Sequence, residues 1–270
     1  MNFTEKLHNV VNKNQSLLCV GLDIAVERIP AHIRGRANPA LEFARNIVEA
    51  TADLVCAYKL NFAFYEAMGA GGWETLRQVL EAIPEDVVTI GDAKRGDIGN
   101  TSEMYARAIF EDLGFDAATA APFMGRDSVQ PFLDRKEKCT FFLTLTSNPG
   151  SRDFLYLDVD GKPFYAKVAE TIMSWNEYGN CGFVVGATHP EELAGIRATV
   201  GDSSILVPGI GAQGGSVEAS VRAGCNERGE GAIFNVSRGV IYASDGEDFA
   251  AAARNRALEI RDEINKHRRG

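Results

Sequence analysis

A (β/α)8 TIM barrel is the fold class this sequence predicts, and three observations carry it. Eight short apolar runs recur along the chain, helical patterns fill most of the intervals between them, and no low-complexity tract or Pro-rich linker divides its 270 residues. Barrels of this class run to about 200–250 residues as one domain, so residues 1–270 read as a single barrel domain. The runs are SLLCVGLD (16–23), LVCAYKLN (54–61), VVTIGDAK (87–94), DAATAAP (116–122), CTFFLTLT (139–146), GFVVGAT (182–188), SILVPGIG (204–211) and GAIFNVSR (231–238). Near-continuous apolar strands are those buried on both faces of a parallel sheet. Between them, ALEFARNIVEATA, WETLRQVLEAI, TSEMYARAIFEDLG, YAKVAETIMSWNEYG, PEELAGIRATVG and SVEASVRAG place apolar residues at helical spacing, several closing on glycine, and a charged helix follows over 247–269. Strand and helix alternating eight times imply parallel strands that close on themselves. The alternative, an open doubly wound sheet, would be expected to carry a G-x-G-x-x-G turn after its first strand, and this chain has none. The stretch SRDFLYLDVDGKP (151–163) reads as a long loop before its helix.

Composition narrows the function. With 45% hydrophobic and 24% charged residues the chain resembles an ordinary globular protein, and a formal charge of −9 disfavours nucleic-acid or membrane-surface partners, which need basic surface to meet phosphate. The five cysteines, Cys19, Cys56, Cys139, Cys181 and Cys225, form no C-x-x-C pair, and the first four lie in apolar runs as small buried hydrophobes. Free thiols point to a reducing compartment, and neither a signal-peptide core nor a run of about 18 apolar residues is present, so the expected location is the cytoplasm. The four histidines are dispersed without metal-ligand spacing, and none ends a strand where a Ser-His-Asp hydrolase would need it.

The chemistry concentrates where strands end. In DAKRGDIGNT (92–101) two carboxylates and a lysine fall within six positions after an apolar strand. Strand alternation puts Asp92 and Lys94 on one side of the sheet, with Asp97 in the turn beyond. Asp23 ends the first strand and Lys59 lies near the end of the second, so all five point to the C-terminal mouth of the barrel, where such folds hold their active sites. Interleaving matters, because two like charges about 4 Å apart cost on the order of 4 kcal/mol at an effective dielectric of about 20. Any one of these residues alone is as well explained as a solvated rim charge or a structural ion pair. Their convergence favours a catalytic centre.

A second cluster follows strands seven and eight. PGIGAQGGS (208–216) and SRGVIY (237–242) combine glycines, whose amides can approach an oxyanion closely, with Gln213 as an amide donor and Arg238 as a cation. Loops seven and eight of barrels commonly cradle phosphate, and read separately the same residues are turn glycines and a surface arginine. Ser147, in the TSNPG that closes strand five, can both donate and accept, which suits the edge of an amide or imide. The Arg95-Gly96-Asp97 tripeptide is a coincidental adhesion-like sequence inside the charge motif. Trp73 and Trp175 sit in helical patterns as packing residues.

With GLD at 21–23, YKLN at 58–61, the 92–101 segment, APFMGRDS at 121–128, TSNPG at 146–150, PGIGAQGG at 208–215 and SRG at 237–239 in order, the chain resembles the orotidine 5′-phosphate decarboxylase family, in its bacterial branch with the D-A-K-R-x-D-I-G-N-T signature. The resemblance implies a dimeric barrel that removes CO2 from orotidine 5′-monophosphate with neither metal nor organic cofactor. It also implies a Lys59–Asp92–Lys94–Asp97 array in which Lys94 protonates C6. Asp97 and Thr101 would cross to the neighbouring subunit's site, Asp23 would bind the ribose, Ser147 the pyrimidine, and Gln213 with Arg238 the phosphate. Ile24 and Ala121 depart from the family's proline and asparagine without touching the array. The rival readings are a Mg²⁺-dependent sugar-phosphate decarboxylase or synthase sharing D-x-K-x-x-D, and a non-catalytic sensor of a phosphate ligand.

Overall fold

The computed structural model describes residues 1–210 and 216–268. Eight parallel strands close into a barrel in sequential order: β1 (Leu18–Gly21), β2 (Ala57–Asn61), β3 (Val88–Arg95), β4 (Ala117–Ala120), β5 (Cys139–Leu145), β6 (Cys181–Val185), β7 (Ile205–Pro208) and β8 (Ala232–Val236). Closure is made by β1 against β8, with Leu18 opposite Phe234 and Val20 opposite Val236. Each strand falls within or beside the apolar run that predicts it, because a strand covered on both faces can carry apolar residues at every position. Polar residues at the run ends become the loops.

Around the barrel stand α2 (Pro39–Thr51), α3 (Ala70–Glu81), α4 (Gly99–Arg107), α5 (Phe164–Trp175), α6 (Pro190–Val200), α7 (Val217–Gly224) and α8 (Phe249–His267). The starts of α2 and α7 are set by Asn38 and Ser216, whose side-chain oxygens accept from the amides of Leu41 and Ala219. Between β4 and β5 only two short helical turns, Arg126–Ser128 and Gln130–Leu133, occur. The 151–163 excursion is not simply a loop: it ends in a two-stranded antiparallel ribbon, Asp158–Val159 with Lys162–Pro163. Trp175 packs edge-on to Phe142, whereas Trp73, edge-on to Phe62, remains 43% exposed and is only partly a packing residue.

An N-terminal helix, α1 (Phe3–Asn14), precedes the barrel and was not among the predicted elements. Its signal is local: Asn2 accepts from the amide of Glu5, and Glu5 accepts from the amide of Asn2, the reciprocal capping box. The helix lies against the N-terminal ends of the strands. Phe3 donates its amide to Glu137 just ahead of β5, and Lys6 pairs with Asp116 just ahead of β4 at 2.6 Å. Nearby, the buried Arg197 of α6 donates to the carbonyls of Gly201, Ser203, Gly224 and Gly231 at 2.6–2.8 Å, tying the entries of β7 and β8. Burial holds its guanidinium down at about 10. Lys6, Asp116 and Arg197 at this end are thus engaged in holding the strand entries together.

Candidate active site

At the C-terminal mouth a cavity of about 380 Å³ is lined by the charged Asp23, Lys59, Asp92 and Lys94 and by Ser147, Gly209 and Arg238. Leu143, Val184 and Leu206 form part of its apolar wall. Two glycines let the walls meet. A Cβ on Gly21 would stand 2.7 Å from Cβ of Ser237, and one on Gly186 would stand 2.7 Å from Cβ and 2.9 Å from the backbone nitrogen of Ser147. Any side chain at either position would displace a loop that carries a site residue.

Four charges of alternating sign form a continuous chain. Lys59 Nζ donates to Asp92 Oδ2 at 3.0 Å and lies 3.4 Å from Asp23 Oδ1, while Lys94 Nζ donates to Asp92 Oδ1 at 2.6 Å. Lys59 and Asp92 are 4% and 8% exposed. Burial alone would push the Asp92 carboxyl up, but Lys59 and Lys94 outweigh it and hold the group well below the usual carboxylate range. Burial likewise pulls Lys59 down, and the carboxylates of Asp92 and Asp23 outweigh it, so its ammonium is held above the ordinary lysine value. Both partners are therefore ionised at neutral pH. The Lys94 side chain is about half exposed, at 49%, and its ammonium reaches the open cavity from the Asp92 side.

The contact between Asp92 and Lys94 does not arise from regular strand alternation, as the sequence suggests. Gly91 pairs with Ala118 but Arg95 with Ala120, so β3 advances four positions while β4 advances two. This bulge places Lys94 in the left-handed region, at φ 49°, and re-aims its side chain toward the Asp92 carboxylate. Bulges next to active sites commonly serve to turn a side chain in this way.

Of the sequence-predicted residues, Asp23, Lys59, Asp92, Lys94, Ser147 and Arg238 all line the one cavity. Asp97 and Thr101 do not. Asp97 accepts from the amide of its neighbour Ile98 at 2.8 Å, and Thr101 is exposed on α4. The expected convergence of five charges is thus a convergence of four within one chain. Gln213 and most of the glycine-rich turn after β7, residues 211–215, lie outside the described residues. Two buried polar residues of the cavity escaped sequence reading, Thr119 on β4 and Asn235 on β8. The only signal for either is a polar side chain inside an otherwise apolar strand.

Such a cavity can hold a phosphorylated small molecule between a cation and an array of alternating charges, and can deliver a proton from Lys94. Among the described residues, no three His, Cys, Asp or Glu side chains are grouped to hold a metal ion. Residues 16–253 match the model of the orotidine 5′-phosphate decarboxylase / HUMPS family. The chain is 49% identical over 273 residues to the orotidine 5′-phosphate decarboxylase of Dehalococcoides mccartyi strain CBDB1, covering 100% of this chain and 99% of that protein. It is 49% identical over 264 residues to that of Flavobacterium johnsoniae, covering 97% and 96%. Among solved structures, the OMP decarboxylase of Leishmania donovani superposes with a TM-score of 0.86 at 42% identity, covering 99% of each chain. A family match across the barrel and full-length relatives at this identity, on top of the shared architecture, establish that the chain belongs to the orotidine 5′-phosphate decarboxylase family.

Proposed function

We propose that this protein decarboxylates orotidine 5′-monophosphate to uridine 5′-monophosphate in pyrimidine biosynthesis, as a single barrel domain. The observation that carries the reading is the Lys59–Asp92–Lys94 chain, at 3.0 and 2.6 Å, opening into one cavity with Arg238. The matching family model also carries the HUMPS name, but the full-length relatives are orotidine 5′-phosphate decarboxylases.

In the proposed reaction the bond between C6 and the carboxylate carbon breaks, CO2 leaves, and the electron pair stays at C6. Lys94 gives a proton to C6 and is reprotonated from solvent. Asp92 holds the ammonium by a charge-assisted hydrogen bond and lies beside the departing carboxylate. Lys59 keeps Asp92 ionised and, with Asp23, faces the ribose hydroxyls. Ser147 reads the pyrimidine edge, and Arg238 with Gln213 takes the phosphate. Phosphate binding, remote from C6, supplies energy for positioning the reacting carbon.

Asp97 and Thr101 complete the array in a second subunit of a homodimer. Supporting this, neither reaches the cavity of its own chain, and the large apolar side chains of Ile98 and Met104 around them are exposed. We place the protein in the cytoplasm, in keeping with its buried free thiols; none of the described helices is long and apolar enough to cross a membrane.

The test is incubation with orotidine 5′-monophosphate and excess chelator, following CO2 and uridine 5′-monophosphate. Turnover that survives chelation is expected. No turnover by the folded protein would reject the reading and direct the test to the Mg²⁺-dependent sugar-phosphate barrels, and turnover abolished by chelation and restored by Mg²⁺ would overturn the metal-free mechanism. Arg238→Ala should raise KM roughly 10- to 100-fold, the worth of one charge-assisted hydrogen bond, with a smaller change in kcat. An unchanged KM would remove Arg238 from the phosphate site.

A further inference from the structure

The hydroxyl of Thr119 sits at the centre of the β3 bulge. The residue is 1% exposed, and its Oγ1 makes two hydrogen bonds: it accepts from the backbone amide of Lys94 at 2.9 Å and donates to Asp92 Oδ1 at 2.9 Å. Both directions are forced. An amide can only donate and an ionised carboxylate can only accept, so the single hydroxyl proton must point at Asp92. Where the bulge takes the Lys94 amide out of the regular β3–β4 ladder, the threonine side chain stands in for the missing backbone acceptor. Asp92 Oδ1 is the same oxygen that holds the Lys94 ammonium at 2.6 Å. One hydroxyl therefore touches the main chain of Lys94 and the carboxylate that aims its side chain. The strand supplying it is anchored on its far side, where Thr119 pairs with Phe141 of β5.

We propose that Thr119 is a positioning residue for proton delivery: by fixing the Lys94 backbone and the Asp92 carboxylate together, its hydroxyl sets the direction in which the Lys94 ammonium points. The inference rests on the assignment of Lys94 as the proton donor to C6. It separates two effects that a merely structural threonine would not separate. The loose end of a misdirected ammonium lowers the rate of the chemical step, whereas ground-state binding through Arg238 and Ser147 is untouched.

Thr119→Val keeps the branched shape and removes the hydroxyl, and Thr119→Ser keeps the hydroxyl and removes the methyl. Both variants and the wild type are assayed with orotidine 5′-monophosphate, with the Kd for uridine 5′-monophosphate and Tm measured alongside. The valine variant should lose roughly 10- to 100-fold in kcat, the effect of one hydrogen bond to a charged group, with KM and product affinity within about threefold of wild type. The serine variant should keep kcat within about threefold of wild type, since it restores the donor and acceptor. A valine variant with wild-type kcat, or a serine variant as slow as the valine one, would overturn the proposal. Thr119→Ala answers the same question should the valine variant not fold. An inactive wild type would instead reject the decarboxylase reading, so the two failures are distinguishable.

Discussion

Replacing Lys94 with alanine is expected to abolish turnover while leaving the binding of a phosphate ligand measurable. The proposed reaction leaves an electron pair on C6 that the adjacent ring cannot easily delocalise, so a proton source at that carbon is indispensable. A positioned general acid contributes about 10²–10⁴-fold, and loss of the preorganised cation facing the developing charge adds to it, so kcat should fall at least ~10⁴-fold. Binding should survive because Arg238 and Ser147, which line the same cavity from the ends of other strands, are unaltered. The fold should survive too, since the Lys94 side chain is about half exposed. Single-turnover assays, with the Kd for uridine 5′-monophosphate measured in parallel, check both halves. Near-normal turnover would remove Lys94 from its role, and loss of both turnover and binding would show that the substitution had damaged the whole mouth.

Asp92→Asn should be the more damaging change to the protein as a whole, because it strikes catalysis and stability together. Asp92 accepts from Lys59 at 3.0 Å, from Lys94 at 2.6 Å and from Thr119 at 2.9 Å. A neutral amide leaves Lys59 with Asp23 at 3.4 Å as its one nearby carboxylate. Breaking one side of a buried ion pair costs about 3–5 kcal/mol, whereas exposed pairs contribute about 1 kcal/mol or less. The pH dependence gives the loss a signature. The Asp92 carboxyl is held below its unfolded value, so its contribution is complete above the unfolded pKa of about 4 and fades as pH falls toward the lower folded value. The gap in unfolding free energy between wild type and variant should therefore narrow below about pH 4. Lys59 behaves in the opposite sense. Its ammonium is held above the unfolded value, so its contribution is complete below about pH 10 and fades as pH rises toward the higher folded value. Urea titrations of both proteins at pH 7 and pH 3 test the acid side. A gap that is the same at both would mean that ionised Asp92 does not stabilise the folded state, and unaltered kcat at pH 7 would remove it from the array.

Most of the barrel was legible because its code is local. Eight apolar runs separated by helical spacing leave few ways to bury both faces of each strand, and the structure closes β1 on β8 accordingly. The N-terminal helix carries two local signals, Phe3, Leu7, Val10 and Val11 at helical spacing and a capping box, but it precedes the first strand and so falls outside the strand–helix alternation from which the elements were read. The 158–163 ribbon was not legible, being too short to show a period.

For the site, residue type and place at a strand's end were enough to single out Asp23, Lys59, Asp92, Lys94, Ser147 and Arg238, all of which line one cavity. The sequence by itself determined the fold class, the family, and which end of the barrel carries charge, because each of these depends on the order of residues along one chain. Tertiary structure alone decided how that charge is arranged. It introduced the β3 bulge that turns Lys94, brought Thr119 from the next strand to the carboxylate, and kept Asp97 and Thr101 out of their own chain's cavity. The physical reason is that hydrogen-bond direction and side-chain aim depend on strand register, which two strands set between them and neither contains alone.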